Sequence, residues 1–199
     1  LVLGGTTTDP TYGVATPFTT PTAVDFAAGK SFCAPDNNLN NVTDINADIV
    51  VEAVFKNVSA GVEYAVFGKY AAGATGVLLV TTSVNGHSVY NPPASISFAG
   101  AGNGTWYHIM AFYDRNGVSK LYRNGVDAGV APATSSATQN TATPFCIGSY
   151  NNYASGKSQH QVALVQQWTL AAGSVGNAAD SAAVAAARYA AAQANGFAP

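Results

Sequence analysis

The chain has 199 residues, of which 48% are hydrophobic and only 9% charged, and its formal net charge is −2. Eight basic residues against ten acidic ones provide no basic surface for a nucleic-acid backbone or for membrane headgroups. No apolar run approaches the roughly 18 residues that a bilayer-spanning helix needs. The composition therefore indicates a single large domain whose surface is polar but nearly uncharged.

The first 22 residues are rich in Thr, Pro and Gly and predict an extended N-terminal arm or linker. From Ala23 to Trp168, short runs of Val, Ile, Phe, Tyr and Thr alternate with Gly, Asn, Asp and Pro. This pattern is typical of an all-β protein, and its spacing favours an antiparallel two-sheet sandwich. The predicted strands cover 23–27, 30–34, 48–56, 62–69, 76–83, 94–99, 106–113, 118–123, 126–130, 144–148 and 161–169.

Asn-Gly pairs mark tight turns between these strands, because both residues tolerate the positive φ that a two-residue hairpin demands. They occur at 85–86, 103–104, 116–117 and 124–125. The last two pairs predict a meander from Trp106 to Val130. Because both faces of strand 106–113 are apolar, we expect this strand to lie in the middle of a sheet.

The chain ends in an alanine-rich segment, Ala178 to Ala194, which predicts a single helix because Ala is the best helix former. Asn177 is placed to serve as N-cap, and Gly196 is a stop signal. We expect this helix to dock on the sandwich or on a neighbouring subunit. Docking would use a weak apolar stripe formed by Val184, Ala187 and Ala191.

Two cysteines, Cys33 and Cys146, each lie in a short apolar segment that predicts a strand. They are either two buried free thiols, since Cys is often simply a small core residue, or one disulfide in an oxidising compartment. The sequence alone leaves both alternatives open. No second Cys or His lies near either residue, so the spacing does not match a zinc site.

Several segments resemble strands of laminin-G-like domains in the concanavalin A-like lectin/glucanase superfamily. The segment Gly104–Asp114 resembles the family's G-x-W-x-H strand, and Leu121–Val126 resembles the strand and turn that follow it. Further similar segments, in the family's order, are Ala23–Phe32, Asp48–Lys56, Phe145–Gly148 and Val162–Leu170. The resemblance implies a concanavalin-like jelly roll at 23–170, preceded by the arm at 1–22 and followed by an Ala-rich helix and tail at 171–199.

The same resemblance implies a packing role for the large side chains. Trp106 and Trp168 are expected to be core anchors, and His108 a hydrogen-bonded core residue. The sequence departs from the family at Val54, where Trp is frequent. It departs again where Ala163 and Leu164 replace a usual acidic pair.

The carboxylates do not predict an enzyme. Glycan hydrolases of this fold need two carboxyl groups about 5–9.5 Å apart, and on one strand the candidates are acids at i and i+2 or i+4, because alternate residues share a face. The chain has two glutamates, Glu52 and Glu63, and only Glu52 has such a neighbour, Asp48, which is predicted to begin its strand. We therefore expect no catalytic residues and no glycan hydrolysis.

No cofactor is predicted, although calcium remains an alternative because two loops are rich in side-chain oxygen. These loops are 36–41 and 44–48. The second loop lacks the glycine at the sixth position and the acid at the twelfth that a helix-loop-helix calcium site has. Turn chemistry explains the Asn and Asp residues equally well, so no metal ligands are assigned.

The best candidates for ligand contact combine tyrosine rings with side-chain amides. Ring faces stack on sugar C–H surfaces, and amides donate and accept hydrogen bonds together. The first set is the loop Tyr150, Asn151, Asn152 and Tyr153, and the second is His87 with Tyr90 and Asn91. The first set contains no charged residue, which suits a neutral glycan or surface polysaccharide better than an ionic partner.

Two functions of different classes follow. The first is a non-catalytic carbohydrate-binding or adhesive module on a cell surface or virion. The second is a structural decoration or appendage domain of a viral particle or surface assembly, which would contact neighbouring subunits through the N-terminal arm or the C-terminal helix. Both imply an extracellular, cell-surface or virion location without membrane insertion. The chain begins at Leu1 with no visible signal peptide, which indicates a processed or excised piece of a longer protein.

Overall fold

A computed structural model describes residues 2–4, 11–14, 23–26, 30–34, 48–57, 64–71, 75–81, 87–91, 94–98, 104–114, 118–131, 144–149, 160–170, 178–197 and 199. The described residues form strands in two antiparallel sheets and one C-terminal helix, which confirms the predicted sandwich. The strands are β1 (Val2–Gly4), β2 (Thr11–Val14), β3 (Ala23–Asp25), β4 (Ser31–Ala34), β5 (Asp48–Lys56), β6 (Tyr64–Ala71), β7 (Thr75–Thr81), β8 (His87–Asn91), β9 (Ala94–Phe98), β10 (Trp106–Tyr113), β11 (Ser119–Arg123), β12 (Val126–Ala131), β13 (Phe145–Ile147) and β14 (Gln161–Leu170), and the helix is α1 (Ala178–Ala194).

Strands that are distant in sequence meet at the centre of each sheet. The first sheet has the order β1-β4-β13-β6-β7-β8-β9, and the second has the order β12-β11-β10-β5-β14-β3-β2. As predicted, β10 is an interior strand, paired with β11 on one side and β5 on the other. The predicted turn between β11 and β12 is also present, with positive φ at both Asn124 (52°) and Gly125 (75°).

The main core lies between the two sheets. Every second residue of β5 and β10 faces it, because alternate side chains of a strand point to opposite sides. These residues are Ile49, Val51, Ala53, Phe55, Tyr107, Ile109, Ala111 and Tyr113. They pack against Val66 and Phe67 of β6, Leu79 of β7 and Ile96 of β9.

Helix α1 covers the outer face of the second sheet, so β5 and β10 are buried on both sides. Its contacts differ from the predicted stripe, because Val184, Ala187 and Ala191 are exposed. Among the helix side chains that the structure describes, the buried ones are instead Ser181 and Ala185. Small side chains at these two positions allow the helix backbone to approach the sheet closely, whereas the predicted residues lie at or outside the margin of the contact.

The end of α1 is fixed by a Schellman motif. The Gly196 amide donates to the Gln193 carbonyl at 2.9 Å, and the Phe197 amide donates to the Ala192 carbonyl at 3.0 Å. Gly196 has a φ of 95°, as such a cap requires. The predicted stop is therefore confirmed, and the Phe197 ring is buried against Val54 and Trp106.

The residues that depart from the family pattern meet at this same place. Val54, Ala163 and Leu164 belong to one apolar cluster with Trp106 and Phe197. An acidic pair at 163 and 164 would place charge in this cluster, whereas Ala and Leu make it apolar. The residues that depart from the family pattern therefore form the apolar surface on which the C-terminal end of α1 packs.

The N-terminal segment is part of both sheets, so the arm or linker prediction is wrong where residues are described. Val2–Gly4 pairs with Ser31–Cys33 in the first sheet. Thr11–Val14 pairs with Ala23–Asp25 in the second sheet. These strands are too short to show a strand pattern of their own, and they form because existing strand edges offer unpaired backbone groups.

Cys33 and Cys146 form a disulfide, which resolves the alternatives that the sequence left open. They lie directly opposite each other on the adjacent antiparallel strands β4 and β13. Because they are 113 residues apart in sequence, the bond ties the beginning of the sandwich to its late strands.

Candidate binding site

The predicted ligand-contacting loop, Tyr150, Asn151, Asn152 and Tyr153, lies outside the described residues, as does the whole segment 150–159. The residues on both sides of this segment are described, and both contact Phe26. On one side, Gly148 packs so tightly that a Cβ atom there would lie 2.6 Å from Phe26 Cδ1. On the other side, the Phe26 amide donates a 2.9 Å hydrogen bond to the His160 carbonyl.

Further contacts hold each flank in place. The Gly148 amide donates to the Val66 carbonyl at 2.9 Å, and the neighbouring Ser149 is fully buried. On the other flank, the buried His160 ring packs edge-on against Phe55, with 5.6 Å between the ring centroids. The sandwich thus provides a rigid base from which the chain leaves and to which it returns.

The second predicted set lies on a strand rather than in a loop. His87, Tyr90 and Asn91 belong to β8, which was not among the predicted strands. In the first sheet, His87 is paired with Thr81 and Phe98, and Asn91 with Ala94 next to the β8–β9 connection. The set therefore lies on the strand next to the edge strand β9, and its ligand contact remains a prediction.

A buried polar cluster lies under α1, between two apolar clusters that also contact the helix. One apolar cluster contains Met110 and Ala185, and the other contains Trp106 and Phe197. Glu52 on β5 is 2% exposed and His108 on β10 is 1% exposed. The Nε2 atom of His108 lies 2.7 Å from Glu52 Oε1, and the Arg188 Nη2 atom donates to Oε2 at 2.6 Å. The predicted hydrogen-bonded role of His108 is confirmed, whereas Arg188 was not singled out in the sequence.

Opposing effects act on the ionisation of Glu52. Burial alone would raise the pKa of its carboxyl group, but hydrogen bonds from His108 and Arg188 favour the charged form. The net effect is a pKa below the ordinary value of 4.5, so Glu52 is a carboxylate at neutral pH. A carboxylate only accepts hydrogen bonds, so the Nε2 atom of His108 carries the proton that they share.

This cluster does not have the form of a glycosidase centre. Asp48 and Glu52 share a face of β5 but are four residues apart, which corresponds to about 13 Å along a strand. Both are buried, and both oxygens of Glu52 are already bonded within the chain. The arrangement positions a helix on a sheet and offers a substrate no free acid pair.

The described residues contain no group of three or more His, Cys, Asp or Glu side chains that could hold a metal ion. Of the two oxygen-rich loops, 36–41 and most of 44–48 lie outside the described residues. Calcium binding by these two loops therefore stays a sequence-based alternative. Within the described part of the chain, no helix has the length and apolarity to cross a bilayer.

A family model described as the concanavalin A-like lectin/glucanases superfamily, Laminin_G_3, matches residues 41–178. The chain belongs to this family. A comparison with curated protein sequences gives no match. The family match confirms the resemblance seen in the sequence and extends over both central strands, β5 and β10.

Solved structures of this superfamily fold show similar architectures. The receptor-binding domain of botulinum neurotoxin of the C/D mosaic serotype has a TM-score of 0.65 at 11% identity, over 91% of this chain and 45% of that one. A candidate carbohydrate-binding protein from Bacteroides ovatus has a TM-score of 0.57 at 14% identity, over 73% and 43%. The CBM40 module of the Ruminococcus gnavus IT-sialidase, solved with α2,3-sialyllactose, has a TM-score of 0.52 at 10% identity, over 74% and 89%.

These identities are low, so the likeness concerns the fold alone. The laminin-G-like chain spans less than half of the length of the first two of these proteins. What those larger proteins bind is thus a property of chains that contain more than this domain.

Proposed function

We propose that this laminin-G-like chain is a non-catalytic module that binds a neutral glycan through the loop 150–153. The observation that carries the proposal is that the residues on both sides of this loop are anchored on the sandwich. Gly148, just before segment 150–159, packs closely against Phe26, and His160, just after it, accepts a backbone hydrogen bond from Phe26. Binding residues concentrate on loops that a rigid scaffold positions, and the sandwich provides such a scaffold.

The composition of the loop supports the choice of ligand. Two tyrosines offer rigid ring faces at low entropic cost, and two amides offer hydrogen bonds in both directions. No lysine, arginine or acidic residue lies within the four, so an ionic partner would find no counter-charge there.

An extracellular setting, on a cell surface or virion, belongs to the same proposal. Disulfides persist in oxidising environments and are rare in reducing ones, and the Cys33–Cys146 bond joins the fold across two paired strands. The bond supports export of the protein. The placement of the module on a cell surface or virion rests on the sequence-based prediction alone.

The structural alternative has less support from the fold. It rested on the N-terminal arm and the C-terminal helix as contacts to neighbouring subunits. Described parts of the arm are strands of the two sheets, and α1 packs on its own sandwich. Both features are thus used within the chain, which favours binding over assembly.

The experiment is a glycan array followed by titration of the best ligand. Changing Tyr150→Ala together with Tyr153→Ala should abolish binding and leave the melting temperature within a few degrees of the wild type. Tyr90→Ala serves as the comparison, because it tests the second predicted set in the same assay. Loss of binding in Tyr90→Ala alone would move the site to β8. A large loss of stability in the double variant, with no glycan bound by the wild type, would refute the proposal.

A further inference from the structure

A cavity lies between α1 and the outer face of the second sheet, and none of the described residues that line it belongs to the proposed glycan loop. Its volume is about 240 Å³. Its described apolar lining consists of Val50, Met110, Phe112, Trp168, Leu170 and Val184. Two of these side chains, Leu170 and Val184, are 36% and 45% exposed, so they stand at the mouth of the cavity.

The polar groups around this cavity already have partners within the chain or lie in solvent. The Ser181 hydroxyl is 2.9 Å from the Tyr122 hydroxyl, and Arg188 binds both oxygens of Glu52. Asp180 is exposed. The charge of Arg188 is compensated by a buried carboxylate, and Asp180 is exposed to solvent, which screens its charge, so the cavity presents no buried unpaired ion to a ligand. The lining therefore favours a neutral ligand with few polar atoms.

The walls also favour a flat ligand. The rings of Phe112 and Trp168 and the thioether of Met110 line the cavity, and both kinds of group make favourable contacts with aromatic edges and faces. The Arg188 guanidinium lies 5.7 Å from the centre of the Trp168 ring and is itself held by Glu52. Trp168 is thus fixed before any ligand arrives, which lowers the entropic cost of binding.

Size narrows the class further. An apolar cavity of about 150 Å³ in a protein core holds one benzene molecule. In proportion, 240 Å³ accommodates two fused rings, or about ten non-hydrogen atoms. We propose that this cavity binds a neutral bicyclic aromatic molecule of the size of indole. This inference does not depend on the glycan site, because the described lining of the cavity includes no residue of segment 150–159.

Binding is tested with the full chain and indole, by saturation-transfer NMR and by isothermal titration. Val184→Phe fills the mouth of the cavity without disturbing the core, since Val184 is 45% exposed and does not belong to a core cluster. It should weaken indole binding at least about tenfold, equivalent to about 1.4 kcal/mol. Ala183→Phe is the matched control, because Ala183 is exposed and lies outside the cavity lining, and it should bind indole within about twofold of the wild type.

Two charged relatives of indole test the ligand class. Indole-3-acetate and tryptamine should each bind at least about tenfold more weakly than indole, because the cavity has no buried uncompensated charge for either and the exposed Asp180 is screened by solvent. No saturation transfer from the wild type to indole, or equal binding by Val184→Phe, would overturn the proposal. Tighter binding of either charged relative would overturn the neutral class. The Tyr150→Ala/Tyr153→Ala variant should bind indole normally, so failure of one site is distinguishable from failure of the other.

Discussion

Removing the guanidinium of Arg188 should destabilise the fold far more than the loss of an ordinary surface charge. The buried carboxylate of Glu52 would then lack its compensating positive charge. In Arg188→Met, the carboxylate of Glu52 keeps its contact with His108 and loses all of its bonds to the arginine. Breaking a buried ion pair by removing one partner typically costs about 3–5 kcal/mol. Arg188 is 42% exposed, so water can partly replace it, and we expect a loss of about 2–3 kcal/mol.

The assay is urea unfolding at pH 7, with Lys120→Met as the matched control. Lys120 also donates to a carboxylate, Asp127, at 2.8 Å, but Asp127 is 49% exposed. Its removal should cost less than about 1 kcal/mol. Glu52→Gln in the Arg188→Met background should restore part of the lost stability, because it removes the uncompensated buried charge.

The pH dependence gives an independent check. The folded-state pKa of Glu52 is lowered, so its contribution is fully present above the unfolded value of 4.5 and is lost as the pH falls through the folded value. Without Arg188, burial acts against one hydrogen bond instead of several, so the carboxyl of the variant takes up its proton at a higher pH. The stability gap between wild type and Arg188→Met should therefore narrow below pH 4.5. An unchanged gap, or a loss no larger than that of Lys120→Met, would refute the reasoning.

Three further outcomes are expected. In a urea titration, Gly148→Ala should lower the free energy of unfolding by about 2–4 kcal/mol, because the φ of Gly148 is 84° and a Cβ would collide with the buried Phe26 ring. Gly104→Ala is the control and should cost only about 1 kcal/mol, because Gly104 has a φ of 74° but open space around it. Denatured, non-reduced protein should show no free thiol, and Cys33→Ser with Cys146→Ser should lower the free energy of unfolding by up to about 4–5 kcal/mol, so that two titratable thiols in the wild type would contradict the disulfide. No β-glucan should be hydrolysed, and turnover that disappears in Glu52→Gln would show a catalytic role.

The parts of the fold with strong local patterns could be predicted from the sequence. Strand β10 is apolar at nearly every position, which marked it as central, and the alanine-rich helix was expected at its observed bounds, Ala178–Ala194. The face on which the helix docks could not be predicted. Eleven of its 17 residues are Ala, so no periodicity separates Ala185, which is buried, from Ala187, which is exposed.

The other features that the sequence did not predict depend on pairing between strands that are distant in sequence. Val2–Gly4 becomes a strand because β4 offers it an edge, and the disulfide forms because β4 and β13 bring Cys33 and Cys146 into the same register. The Glu52 cluster had the same origin. The sequence showed an acid on one strand and a histidine on another, but only the pairing of β5 with β10 and the docking of α1 brought Arg188 to them.

The covering of the second sheet by α1 has a consequence for where this folding unit begins and ends. The segment recognisable as a family member is 41–178, which leaves out β1 to β4 and nearly all of α1. A protein cut to that segment would keep Cys146 without Cys33 and would present Trp106, Met110 and Phe112 to water. Contiguous apolar surface of this kind promotes aggregation. The unit that can fold and remain dispersed therefore needs flanking sequence on both sides of the part by which the family is recognised.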